Sequence, residues 1–260
     1  MHKLFAYPGG KWPIRHLVVS QFPVHETYVD VFGGSAAILL WKEPSRGEIF
    51  NDKNSDIVNF FRVVKHRPAE LAERAGYWLH SRAEFDAMRE SVAPLDEIDR
   101  AIRFWTLTCD SFGARGKNYG TSRLGIHSVT HARDYLIEVS ERLKSVHIEN
   151  LDFTRAIEIY DGPDTFFYLD PPYLDTKGGE GHYDQLSKEE WKSLAGMLSE
   201  IKGKFLLSSN DHPVVRRLFR RFRIRPLQVP TTLSRVKSGA TRTELLIANY
   251  PFKRFKRCPS

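Results

Sequence analysis

The chain has 260 residues, 41% hydrophobic and 27% charged, with two cysteines and a formal net charge of +7. This is ordinary for a soluble globular protein, and the length allows one large domain or a main domain carrying an insertion. The two cysteines, Cys109 and Cys258, exclude a disulfide framework or a zinc cluster, and the apolar runs are strand-sized, too short to span a bilayer. The positive balance suits a polyanionic partner, because Lys and Arg gain free energy by releasing counterions from phosphate. No apolar signal segment stands behind the first basic residues, so a reducing, cytoplasmic protein with no membrane partner is expected.

Tyr7-Pro-Gly-Gly-Lys11 puts an aromatic ring and an ammonium on a glycine hinge; alone it is also what a loose N-terminal arm looks like. Thr27-Tyr-Val-Asp-Val-Phe32 is a β-rich run ending in Gly33-Gly34, and Ser35 to Lys42 follows as a helix. Glu48-Ile-Phe50 is a second strand, stopped at Asn51-Asp52. Asn54 or Ser55 can cap the next helix, in which Ile57, Val58, Phe61 and Val64 keep a helical period. Strand, glycine turn, helix and strand make a βαβ unit, hence a parallel sheet. Glycine lets a ligand approach the backbone closely. Asp52, at the end of the second strand, can accept hydrogen bonds from both hydroxyls of a ribose. The turn is not Gly-x-Gly-x-x-Gly, which argues against a nicotinamide-dependent oxidoreductase.

Residues 67–145 change character. Pro68 to His80, Ser81 to Arg89 and Asp96 to Cys109 read as helices, followed by a glycine-rich, basic stretch from Phe112 to Ser122. A loop of that length inside a compact domain implies a job. Arg115, Lys117 and Asn118 on it, and Arg123 just after, are of the types that contact guanine and adenine edges or phosphate.

The alternation returns at Val146-His-Ile148, a strand, and Phe153 to Tyr160, a short helix. Thr165-Phe-Phe-Tyr-Leu169 is a strongly apolar strand. Ser187-Lys-Glu-Glu190 is a capping box, opening a helix that buries Trp191, Leu194, Leu198 and Ile201. Lys204 to Leu207 is a strand, Pro213 to Arg221 a helix with four arginines, and Ile224 to Val229 and Leu245 to Asn249 are strands.

Asp170-Pro171-Pro172-Tyr173 follows the apolar strand directly. Ligands of open α/β sheets bind beyond the carboxyl ends of the strands. The two prolines lock φ and remove two N–H donors. What remains is a rigid edge of acceptors, the Asp170 carboxylate and neighbouring carbonyls, with the Tyr173 ring nearby. Such an edge suits a planar amine, which donates two N–H bonds and offers a π-face. A plain chain stop, with Asp170 capping a turn, gives the same four letters.

Taken in order, these pieces resemble the Dam-type, or D12 class, adenine-N6 DNA methyltransferases. The resemblance rests on Tyr7-Pro-Gly-Gly-Lys11, Asp30-Val-Phe-Gly-Gly-Ser35, Asn51-Asp-Lys-Asn54, Asn150-Leu-Asp-Phe153, Asp170-Pro-Pro-Tyr173, Leu207-Ser-Ser-Asn-Asp211 and the tail Thr243-Glu-Leu-Leu246. It implies a Rossmann-like α/β sheet, residues 1–66 with 146–260, that binds S-adenosylmethionine and no metal. Residues 67–145 would then be a mainly helical target-recognition insertion. It implies that Tyr7, Lys11, Phe32, Gly33, Gly34, Asp52, Asp152, Phe153 and Asp170 contact the cofactor. Asp170, Pro171, Pro172 and Tyr173 would carry the chemistry on an adenine flipped from duplex DNA, the base stacking on Tyr173. Tyr183, Arg235 and Lys237 join Arg115, Lys117, Asn118 and Arg123 as DNA contacts. The glycine turn departs from the family's Phe-x-Gly-x-Gly at Ser35. Methylation of another planar amine (cytosine N4, RNA adenine or protein glutamine) and a catalytically silent DNA-binding module stay open as alternatives. So does a cognate restriction enzyme as partner; a monomer or weak dimer is expected.

Overall fold

The computed structural model describes residues 4–5, 7, 9–77, 81–91, 95–111, 116–120, 132–174, 185–230 and 241–254. They form a seven-stranded sheet covered by helices on both faces. The strands are β1 (Thr27–Asp30), β2 (Gly47–Asn51), β3 (Val146–Glu149), β4 (Thr165–Leu169), β5 (Lys204–Asn210), β6 (Arg223–Pro230) and β7 (Thr241–Ala248). Their order is β3-β2-β1-β4-β5-β7-β6, and β7 alone runs against its neighbours.

β4 lies at the centre, and all five of its residues are buried. That is why its sequence is a continuous apolar run rather than an alternation: a parallel strand covered on both sides has no polar face. Phe166 joins the cluster on one side of the sheet and Phe167 the cluster on the other. Each such buried ring contributes about 1.5–3 kcal/mol from apolar burial.

One face carries α1 (Arg15–Ser20), α2 (Ala37–Trp41) and α3 (Ser55–His66); the other carries α8 (Phe153–Tyr160), α9 (Lys188–Glu200) and α10 (Pro213–Leu218). Asn54 caps α3, accepting from the N–H groups of Asp56 and Ile57, and the expected capping box of Ser187 and Glu190 opens α9. α10 stops at Leu218, three residues short of the sequence expectation. Arg220 and Arg221 therefore lie beyond it, and Arg216 is held by Asp211 at 2.6 Å.

Between β2 and β3 the chain adds α4 (Pro68–Ala75), α5 (Arg82–Glu90), α6 (Glu97–Cys109) and α7 (Ala132–Leu143). Leu71, Phe85, Ile98, Ile102 and Leu136 of these helices share one apolar cluster with Phe50 and Phe61, so this segment is packed onto the sheet's α3 side. A buried ion cluster reinforces the seam. Glu48 of β2 accepts from Arg142 of α7 at 2.5 and 2.9 Å and from Lys42 at 2.5 Å.

From β1 the chain moves outward to β2 and β3; from β4 it moves the other way to β5. The crevice where the order reverses, outside the carboxyl ends of β1 and β4, is where such sheets hold ligands. Among the described residues no helix is long and apolar enough to cross a membrane.

Candidate active site

Asp170 follows the last residue of β4 and stands at this reversal. Its carboxylate meets Lys11, which comes from the other end of the chain. Lys11 Nζ donates to Asp170 Oδ1 at 2.6 Å and Oδ2 at 2.8 Å, to the Tyr173 hydroxyl at 2.7 Å and to the Gly9 carbonyl at 2.9 Å. The glycine hinge shapes this contact: Gly9 takes φ +75°, and the Gly10 N–H donates back to the Tyr7 carbonyl. Lys11, only 2% exposed, is therefore docked in the site rather than carried on a loose arm. From β5, the Ser208 hydroxyl donates to Asp170 Oδ1 at 2.9 Å and shares a 3.1 Å bond with the Tyr168 hydroxyl.

Burial pushes the Asp170 carboxyl above its ordinary value, and Lys11 and Ser208 oppose that rise. Burial alone would neutralise Lys11, but the charges of Asp170 and then Glu244 outweigh it and hold the group well above the ordinary lysine value. Burial likewise pushes the Tyr173 hydroxyl up, so it stays protonated. The tip of β4 thus carries an ion pair, two proline-locked residues and a neutral phenol.

The glycine turn lies at the tip of β1. A Cβ on Gly33 would fall 2.2 Å from Cε2 of Phe50, and one on Gly34, at φ +51°, would fall 3.1 Å from Cε1 of Tyr7. The Tyr7 ring thus lies against the turn. Ala36 takes φ +54°, a left-handed conformation that disfavours any side chain. Laid on Phe32, the pattern Phe-x-Gly-x-Gly puts its last glycine at Ala36. The conformational departure therefore falls there, one residue beyond Ser35.

Asp52 Oδ2 accepts the Gly34 N–H at 2.9 Å and Oδ1 accepts the Asn54 N–H at 2.8 Å. Burial raises its carboxyl to about 6 despite these two donors. Asn51, 1% exposed, bonds the Val31 and Leu151 carbonyls and the Leu151 N–H, so it ties the tips of β1, β2 and β3 together. Asn150 bonds the Asp52 and Lys53 carbonyls. The rings of Phe32 and Phe153 stack at 5.7 Å, and Asp152 caps α8 through the Thr154 N–H. Every cofactor-contact residue named from the sequence therefore gathers around the tips of β1 to β4.

Lys117 and Asn118 are exposed on a short stretch anchored to α5. Arg89 donates to the Lys117 carbonyl at 2.8 Å, and Tyr119 packs on Phe85. Arg115, Arg123, Tyr183, Arg235 and Lys237 lie outside the described residues. Two buried polar residues at the site, Ser208 on β5 and Glu244 on β7, 0% and 1% exposed, lie within motifs quoted for the resemblance, but sequence reasoning gave neither of them a role.

A seven-stranded, mostly parallel sheet with β7 reversed between β5 and β6 and an acidic tip on β4 is consistent with the methyltransferase class. Residues 7–232 match the D12 class N6 adenine-specific DNA methyltransferases, and the chain belongs to that family. It is similar to the type II methyltransferase M1.LlaDCHI of Lactococcus lactis subsp. cremoris, 27% identical with 96% of this chain and 97% of that protein covered. It is also similar to the DNA adenine methylases of Haemophilus influenzae and Escherichia coli strain K12. These are 24% and 22% identical, covering 95% and 94% of this chain and 93% of each relative. The activity is methylation of adenine in DNA.

Proposed function

We propose that the chain takes its methyl group from S-adenosylmethionine and places it on the N6 amine of an adenine turned out of duplex DNA, with Asp170 and the Pro171 carbonyl as acceptors. The observation that carries this reading is the Asp170 carboxylate at the end of β4, fixed by Ser208 and charged through Lys11. The residues around the glycine turn fit the donor. A carboxylate at the tip of β2 matches ribose hydroxyls, the stacked Phe32–Phe153 pair matches a purine face, and the turn has no Cβ where Tyr7 closes on Gly34. Tyr7, Lys11, Phe32, Gly33, Gly34, Asp52, Asp152 and Phe153 would hold it. When bound, it supplies a methyl on a sulfonium, already a good leaving group.

Asp170 and the Pro171 carbonyl accept the two amine N–H bonds. This draws the nitrogen toward tetrahedral geometry and frees its lone pair for in-line attack; the N–C bond would form as the C–S bond breaks to leave a neutral thioether, and the methylated amine would pass its surplus proton to the Asp170 carboxylate. Pro171 and Pro172 cannot donate, so no backbone N–H competes for the substrate there. Tyr173 stacks on the extruded base, whose removal from the helix costs a few kcal/mol. Positioning and electrostatics supply most of the acceleration. The net charge of +7 favours the DNA backbone, and Lys117 and Asn118, exposed in the insertion of residues 67–145, are candidate contacts to it. Arg115, Arg123, Tyr183, Arg235 and Lys237, outside the described residues, are candidates by residue type alone. The compartment is the cytoplasm of a bacterial or phage-infected cell, and a cognate restriction enzyme is the partner to look for beside the gene.

The test is tritiated methyl transfer to DNA, RNA and protein, followed by digestion to nucleosides. Label in N6-methyladenine from DNA is expected. Label in N4-methylcytosine, RNA or protein, or none, overturns the reading. Sequencing methylated adenines in DNA from expressing cells gives the recognition site, with GATC the first to test.

A further inference from the structure

Glu244 on β7 is 1% exposed. Its Oε1 accepts from Arg242 at 2.6 Å, whereas Oε2 is buried with no hydrogen-bond partner among the described residues. A buried carboxylate oxygen left unpaired is costly. This one lies 3.9 Å from Lys11 Nζ. The Lys11 ammonium has three N–H groups, and Gly9, both Asp170 oxygens and Tyr173 already divide them. Lys11 thus lies on the very lone pairs that the reading above assigns to the substrate amine. It also sets a positive charge where a positively charged methyl donor must approach.

We propose that Glu244 is a positioning residue, the second seat of the Lys11 ammonium: Lys11 rests on Asp170 in the free enzyme and shifts onto Glu244 Oε2 when the substrate amine takes up Asp170. The inference rests on Asp170 being the amine acceptor. The shift needed is small, about 1 Å, to turn a 3.9 Å ion pair into a hydrogen bond. Both seats are buried carboxylates, so the ammonium never loses a counter-ion. Arg242 holds Oε1 while Oε2 receives the lysine, and Ser208 keeps Asp170 in place as Lys11 leaves. Two carboxylates around one ammonium also leave a negative excess that favours a sulfonium over a neutral thioether.

Glu244→Gln keeps the shape and an acceptor for Arg242 but removes the charge. The expected result is a kcat about tenfold lower, with KM for DNA within about twofold of wild type. In calorimetry without turnover, affinity for S-adenosylmethionine falls about threefold or more, while affinity for S-adenosylhomocysteine is unchanged. Equal loss for both ligands, or wild-type kcat, overturns the role. Should the variant not fold, the crystal structure of the wild-type enzyme with S-adenosylhomocysteine and duplex DNA decides. Lys11 Nζ is expected within about 3.2 Å of Glu244 Oε2 and off Asp170; Nζ still on both Asp170 oxygens overturns the inference. Wild-type enzyme that forms no N6-methyladenine sinks the reading of Asp170 itself. An active wild type with an unchanged Glu244→Gln sinks only the second seat.

Discussion

Lys11 and Asp170 stand 159 residues apart in the chain, and the ammonium of one lies 2.6 Å from the carboxylate of the other. The pair joins the segment before α1 to the tip of β4, so the N-terminal turn is part of the site's floor. Burial opposes charge on both partners, and each favours the charged form of the other against it.

Ser208 donates to the ionised form of Asp170, and a donor to the charged form lowers a carboxyl's pKa. Ser208→Ala removes that donor, so the Asp170 value rises further. The acid limb of the kcat–pH profile should therefore move to higher pH. At neutral pH kcat should fall about three- to tenfold, with cofactor affinity kept. Steady-state profiles of variant and wild type check this; an unmoved acid limb counts against it.

Asp52 titrates at about 6. Its ionised form accepts from both ribose hydroxyls, so affinity for S-adenosylmethionine should weaken as pH falls through about 6. In Asp52→Asn the affinity should be weaker but flat over that range. The stability effect has the opposite sign. The folded value lies above the ordinary 3.8, so the folded state binds the proton more tightly. This group's contribution is full below about pH 4 and is lost as pH rises through about 6. Calorimetric titrations between pH 5 and 8 measure the first effect, and melting curves of free protein and variant the second.

Gly33→Ala should be severe. Its Cβ would lie 2.2 Å from a ring carbon of Phe50, itself 0% exposed and packed on Phe61 at 4.6 Å between centroids. The ring has nowhere to retreat. Overpacking of this kind costs about 1–3 kcal/mol, and the displaced turn carries the Asp52 bond with it. A lower urea midpoint together with weaker cofactor binding is expected; wild-type values for both would contradict the packing described.

Glu48, 1% exposed, is the shared counter-ion of Lys42 and Arg142 in the seam between β2 and α7. Burial opposes its ionisation, but Arg142 and Lys42 outweigh burial and hold its carboxyl below the ordinary glutamate value. Glu48→Ala leaves two buried cations without a counter-charge and should cost about 3–5 kcal/mol, read from denaturant unfolding. In wild type the stabilisation is present above the ordinary value of 4.5 and is lost as pH falls through the depressed folded value. An unfolding curve for Glu48→Ala that overlays wild type would show that the cluster contributes nothing.

Where a feature depends on neighbours along the chain, the sequence by itself determined it. The unbroken apolar run of β4, the Asn54 cap, the Ser187 box and the bounds of α8 were legible because each is decided within a few residues. The order of the motifs likewise marked the carboxyl ends of the strands, because a βαβ chain can close only one way. Tertiary structure alone decided the rest. Whether Lys11 hangs free or caps Asp170, and that Ser208 and Glu244 look into the site, follow from strand order and the reversal of β7, which no local pattern encodes. The left-handed Ala36 departs from a spelling that favours an ordinary helix start.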